Sequence, residues 1–420
     1  MSSHALPLAP EDRYATLDVL RGIALFGVFL MNFVMFAQFI MATDEQMLAL
    51  PTVGFDAALR WLLMWLVGEK ANTLFAFLFG LGFSIQMQRL QSRGVEFGRV
   101  YLRRLTVLLA IGLLHVLFFW NWDILHLYAI AGFALFALRN ASERVLLGIG
   151  IPFALLGRPV VQAIADALGA SDLPALQAQY GDAAVHARQA LSEQGDYAGL
   201  LGSFGTFLWY DYLVSGLFFG WIVYALGRFM IGHWVGRRGY LTSPERYLPG
   251  FRRVLRIALP TGLIVCGLGT LLKLHRRADW MPDFEALGSV ADTVHLLGTP
   301  FLATGYLCAI VIGLHAARSR AWLMPFAAVG RMALTHYLMQ SLVIAFVLFG
   351  VWPGLELGGR LGTTAVTAIV IAGFAAQVAL SHWWLARYRF GPAEWCWRAL
   401  TYGTLPPMRL IPLLANKRSP

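Results

Sequence analysis

The sequence predicts an all-α protein, a polytopic membrane bundle of about ten transmembrane helices with both termini cytoplasmic. Three observations predict it. Of 420 residues, 58% are hydrophobic and only 13% charged, with a mean hydropathy of +0.62; a soluble chain is about one quarter charged. The apolar residues fall in blocks of roughly 20, long enough to cross a bilayer as helices. The loops between blocks alternate between arginine-rich and acidic or mixed, which the positive-inside rule reads as alternation between cytoplasm and outer face.

The elements follow in order. Residues 1–16 form a short polar leader. Residues 17–165 form an N-terminal bundle of about five spans, near 17–41, 57–87, 105–119, 124–138 and 145–165. The second is broken near Gly68 by Glu69, Lys70 and Asn72, and Gly80 and Gly82 give it a smooth packing surface. A Trp120-Asn121-Trp122-Asp123 turn joins the third to the fourth. Residues 166–202 form an external soluble insert, acidic and rich in Ala and Gln, with room for one short amphipathic helix. Residues 203–386 form a C-terminal bundle of about five spans, near 207–231, 255–272, 293–315, 326–349 and 363–385. Residues 387–420 are a basic cytoplasmic amphipathic tail whose tryptophans suit the membrane interface.

Composition also excludes some functions. The net charge of +10 belongs to loops retained on the cytoplasmic side. No basic stripe with interleaved aromatics is present, so nucleic acid is not an expected partner; membrane lipid and a small-molecule substrate are. Cys266, Cys308 and Cys396 have no paired spacing, which leaves neither a disulfide framework nor a zinc site. Glu11 and Asp12 precede the first apolar run and Arg21 interrupts it, so that run is a retained span rather than a cleaved signal. Walker, HExxH and dinucleotide motifs are absent.

Polar residues at membrane depth are the candidates for function. Asp18, Arg21 and Arg331 form an inner set, and Glu69, Lys70, His115, Asp123 and His126 an outer one. Asn32, His336 and Gln340 lie at depths between, which suits a pocket or passage across the membrane. Asp123 and His126 lie one turn apart, and His115 faces them across the short turn. An Asp beside a His fixes its tautomer and raises its basicity. Each residue also has a plain structural reading. Asp18 and Arg21 at i, i+3 pair with each other, Arg331 anchors a helix end, Glu69 and Lys70 mark a helix break, and Asn32 and His336 pack helices together.

Several segments carry a resemblance. LDVLRGIA at residues 17–24 with Asn32 following, Glu69-Lys70 before LFAFLFGLGF, and GLLH ending at His115 before Trp122-Asp123-Ile124-Leu125 resemble the YeiB-like bacterial membrane proteins. GRMALTHYLMQS at 330–341 and RFGPAEWCWRALTYG at 389–403 resemble the domain of unknown function 418 that defines that family. The likeness covers nearly the whole chain and implies a multi-pass protein of the bacterial cytoplasmic (inner) membrane. The LDxxRG opening with a downstream Asn is also similar to membrane acyltransferases of the heparan-glucosaminide acetyltransferase type. That similarity implies acyl-CoA as donor and an acceptor at the outer face. Those enzymes carry a His soon after the first-span Asn; residues 33–56 contain none, which leaves His115 or His126.

Two functional readings follow. In the first, an acyltransferase-like enzyme, Arg21 and Arg331 hold the acyl-CoA phosphates. His115 or His126, oriented by Asp123, acts as base, while Lys70 or Asn32 stabilises an oxyanion. In the second, a secondary transporter, Glu69, Asp123 and the histidines form a proton and substrate path, although the halves show no internal repeat. A scaffold for a partner complex is a third possibility.

Overall fold

The computed structural model describes residues 14–169, 178–275, 285–351 and 354–410. The expectations for most of the leader, for part of the insert, for the loop between the seventh and eighth expected spans, and for the tail beyond residue 410 lie outside the described residues.

The described residues are all-α apart from one isolated bridge between Tyr388 and Arg409. Among the described residues, seven helices are long and apolar enough to cross a membrane, or eight if a bent pair of shorter helices is one span. The protein is a polytopic membrane bundle. The count of ten is not reached on length and composition alone. The fourth expected span is a helix of only 13 residues, and the sixth begins ten residues late, at Leu217, and carries Arg228, Arg237 and Arg238.

Helix α1 (Ala15–Met35) runs on as a π-helix over Phe36–Ile40. Helices α2 (Asp44–Leu48) and α3 (Val53–Leu66) follow. The break expected near Gly68 is present: Glu69 has φ of 65° and α4 (Lys70–Ser92) starts directly after it. Helices α5 (Phe97–Phe118), α6 (Leu125–Ala137) and α7 (Glu143–Ala167) complete the first half.

The insert contributes the expected amphipathic helix, α8 (Asp182–Glu193), and then α9 (Tyr197–Leu208) with a π-helical extension over Trp209–Val214. Helix α8 closes the end of α1, whose last carbonyls have no partner within their own helix. Arg188 is 2% exposed and donates from Nε to the Ile40 carbonyl at 3.0 Å, while Gln189 donates to that of Met41 at 2.9 Å. Burial draws the Arg188 guanidinium down to about 10, so it is charged at neutral pH.

The second half holds α10 (Leu217–Arg238), α11 (Leu248–His275) and α12 (Glu285–Gly313). Helices α13 (Ala317–Leu323) and α14 (Pro325–Arg331) form one arm of the bent pair, and α15 (Ala333–Leu348), turned by 83°, forms the other. Helices α16 (Thr363–Leu385) and α17 (Pro392–Tyr402) end it. The largest apolar core packs α1 against α15, α16 and the insert, with Phe36 stacked on Trp120 at 4.0 Å between ring centroids.

Candidate functional site

The turn between α5 and α6 is buried: Trp120, Asn121 and Asp123 are each at most 2% exposed. Gly112 permits this close approach, since a Cβ there would lie 2.3 Å from the His126 amide nitrogen. Across the turn, His115 near the end of α5 and His126 at the start of α6 share Asp123. His115 Nδ1 lies 2.8 Å from Oδ1 and His126 Nδ1 lies 2.9 Å from Oδ2. The His126 amide also donates to Oδ2 at 3.0 Å. From α15, the Tyr337 hydroxyl donates to Oδ1 at 3.1 Å and accepts from the Ile124 amide at 3.2 Å.

A carboxylate facing Nδ1 holds the proton there and leaves Nε2 as the acceptor of a neutral imidazole. His115 Nε2 lies 3.0 Å from Ser341 Oγ, so in that tautomer the serine donates to it rather than to its more distant alternative, the Tyr337 carbonyl oxygen at 3.4 Å. His126 Nε2 meets no hydrogen-bonding partner among the described residues; its ring centroid lies 5.9 Å from that of Tyr212 and 6.1 Å from that of Phe218, which also touch each other. The insert and the π-helical segment that follows α9 cover this end of the molecule. Tyr197 Oη donates to the Phe118 carbonyl, and Tyr212 Oη donates to that of Asn121 at 3.0 Å.

A cavity of about 330 Å³ approaches the cluster from the opposite end. Its walls include Leu17, Val28, Phe75, Leu78, Phe79 and Leu108, and it reaches Ile124 and Tyr337, the two residues that bond to each other beside Asp123. Arg21, Arg89, Arg93, Arg104, Arg331 and Arg398 also line it. Against these six arginines stand two carboxylates, Asp18 and Glu394, a formal excess of four positive charges. Asp18 Oδ1 is 3.1 Å from Arg21 Nη1, so the local pairing is present within the cavity mouth. Glu394 caps α15, accepting from the amides of Leu334 at 2.6 Å and Thr335 at 3.2 Å. Burial pushes its carboxyl up.

Two glycines set the arginines side by side. A Cβ on Gly22 would lie 2.1 Å from the Phe326 carbonyl oxygen, and one on Gly330 would lie 1.8 Å from that of Asp18. Helices α1 and α14 therefore touch backbone to backbone, and Arg21 and Arg331, each next to one of these glycines, line the same space. Arg331 Nε is buried without a partner among the described residues.

The other expected residues lie elsewhere. Glu69 does not join the histidines; Arg158 donates to it at 3.3 Å. Lys70 Nζ is 2.9 Å from His295 Nε2, on α12. His336 and Gln340, at i and i+4, share a face, and that face meets α16: His336 Nε2 lies 2.6 Å from Ser381 Oγ, and Gln340 donates to Gln377 at 3.0 Å. Asn32 is partly exposed, and its side chain bonds to none of the described residues. Sequence reasoning missed Tyr337 and Ser341, each one position beyond the pair it chose. The i, i+4 spacing of His336 and Gln340 is repeated by Tyr337 and Ser341 in the same motif. It also missed Arg89, Arg93, Arg104 and Arg398 as mouth residues, having read them as loop and tail charge.

Residues 235–404 match the family described as "Protein of unknown function (DUF418)". The chain is 32% identical over 419 residues to "Uncharacterized protein YxaH" of Bacillus subtilis (strain 168), covering 96% of this chain and 97% of the relative. It is 29% identical to "Uncharacterized protein YeiB" of Escherichia coli (strain K12), covering 94% and 98%. A 26% identity links it to an uncharacterized 39.9 kDa protein of Bacillus acidopullulyticus over 98% of this chain and 99% of the relative. The chain belongs to this DUF418/YeiB-like family of bacterial proteins.

Proposed function

We propose that this member of the DUF418 family is an acyltransferase-like enzyme of the bacterial cytoplasmic membrane. It moves an acyl group from a cytosolic acyl-CoA to an acceptor at the outer face. The observation that carries the reading is a cavity lined by six arginines and reaching Tyr337, which is bonded to Asp123. Arg21 and Arg331, with the arginines beside them, hold the phosphates, which suit the planar guanidinium. The apolar walls take the less polar arm of the donor, as pockets of this size do for elongated ligands. His115 and His126, oriented by Asp123, supply base catalysis. The arginine end faces the cytoplasm together with both termini, in the orientation that the basic loops favour.

Calorimetry of the purified protein with acetyl-CoA tests the reading. Binding that disappears in an Arg21→Gln/Arg331→Gln double variant is expected. No binding to the wild type, or proton-driven solute uptake into proteoliposomes without acyl turnover, would sink it.

A further inference from the structure

His115 has no free nitrogen. Nδ1 is held by Asp123 at 2.8 Å and Nε2 by Ser341 Oγ at 3.0 Å, and all three side chains are buried. The hydroxyl that this imidazole is placed to deprotonate is therefore that of Ser341. Serine, histidine and aspartate joined in that order, each within hydrogen-bonding reach of the next, form the arrangement that turns a hydroxyl into a nucleophile. It is recognised by geometry and not by order in the chain. Here the three come from α15, α5 and the turn after α5. His126, sharing the same aspartate, keeps Nε2 without a partner among the described residues and is the base left for a second substrate.

We propose that Ser341 is the nucleophile of this site and that the acyl group rests on it as an ester before reaching the acceptor. Ser341 Oγ attacks the thioester carbonyl, and His115 Nε2 takes its proton. The new Oγ–C bond forms as the C–S bond breaks; coenzyme A leaves as its thiolate, which takes up a proton from the medium, while His115 keeps the serine proton. The acceptor hydroxyl or amine then attacks the ester, giving its proton to His126, and Ser341 regains a proton from His115. The proton on His126 is released to the medium, and His115 recovers its neutral form in the same cycle. Trp120 Nε1 and Asn121 Nδ2, in the turn that carries Asp123, are buried donors without a partner among the described residues. Donors of this type stabilise the oxyanion of acyl transfer. Tyr337, one helical turn before Ser341, separates it from the cavity, so acylation requires this side chain to turn aside.

The donor rests on the acyl-transfer reading; the activation of Ser341 does not. A fluorophosphonate probe separates the two, since it reacts with an activated serine whatever the natural substrate. The Oγ–P bond forms, the P–F bond breaks, and fluoride leaves as His115 takes the proton. Mass-spectrometric mapping of the wild-type protein is expected to find the phosphonyl group on Ser341. The labelling rate is expected to fall by about 10²- to 10⁴-fold in His115→Asn and Asp123→Asn. A wild type with Ser341 unlabelled overturns the proposal. So does acetyl-CoA turnover in which no acetyl group is found on Ser341 when acceptor is withheld. Labelled Ser341 without any acetyl-CoA turnover keeps the nucleophile and removes the donor.

Discussion

Two of the buried histidine clusters among the described residues are built around opposite charges. In one, Asp123 lies between His115 and His126 at 2.8 and 2.9 Å. In the other, the Lys70 ammonium lies 2.9 Å from His295 Nε2 and 3.2 Å from the Met64 carbonyl oxygen. His295 Nδ1 faces Thr270 at 3.2 Å, and that hydroxyl donates onward to the Cys266 carbonyl at 2.8 Å. Among the described residues, no buried side-chain atom of Lys70, His295, Thr270 or Cys266 lacks a partner. The aspartate cluster differs in having an imidazole nitrogen to spare, two unpartnered donors in its turn, and a cavity that ends at its tyrosine. Burial of a histidine at membrane depth thus does not mark chemistry. Unfilled hydrogen-bonding capacity beside a cavity does, because a closed network has nothing left to offer a substrate.

The largest expected effect breaks the aspartate cluster. Asp123→Asn keeps the shape but removes the charge that holds both imidazole tautomers, and acyl turnover should fall on the order of 10³- to 10⁴-fold. A variant that keeps near-normal turnover removes the aspartate from the chemistry. Next, neutralising Arg331 to Gln should raise the KM for acyl-CoA by about 10- to 100-fold, the size of a lost charged hydrogen bond, with kcat nearly unchanged. A fall in kcat alone would place Arg331 with the reacting groups instead.

Lys70→Met sharpens the comparison from the other side. It leaves His295 Nε2 without its donor, a loss of about 1–3 kcal/mol in stability, while turnover per folded molecule stays the same. Denaturation in detergent alongside an activity assay separates the two quantities, and an inactive but stable variant would join the clusters into one site. The smallest effect belongs to Gln340→Leu, which deletes an interhelical hydrogen bond worth about 0.6 kcal/mol in a membrane bundle. A large loss of activity there would mean that the α15–α16 face serves the reaction.

Local features were legible in the sequence because their partners are close along the chain. Asp18 and Arg21, three residues apart, do pair. His115, Asp123 and His126 meet across one short turn, where hairpin geometry leaves little choice. The break at Glu69 and the amphipathic helix of the insert were also visible as patterns of charge and apolar spacing. The distant pairings were not. Lys70 and His295 are 225 residues apart, and Ser341 lies 226 residues from His115.

The sequence by itself determined the all-α membrane class, the apolar helices and the aspartate between two histidines, since these depend on hydrophobic length and helical period. Only the tertiary structure decided which face of α15 meets them. Moving one residue along a helix turns the side chain by about 100°, so His336 and Gln340 face α16 while Tyr337 and Ser341 face Asp123 and His115. Periodicity says which residues share a face. The neighbour that face meets is set by packing across the whole bundle, by contacts such as those of Gly22 with Phe326 and Gly112 with His126, where the absence of a side chain lets one backbone reach another.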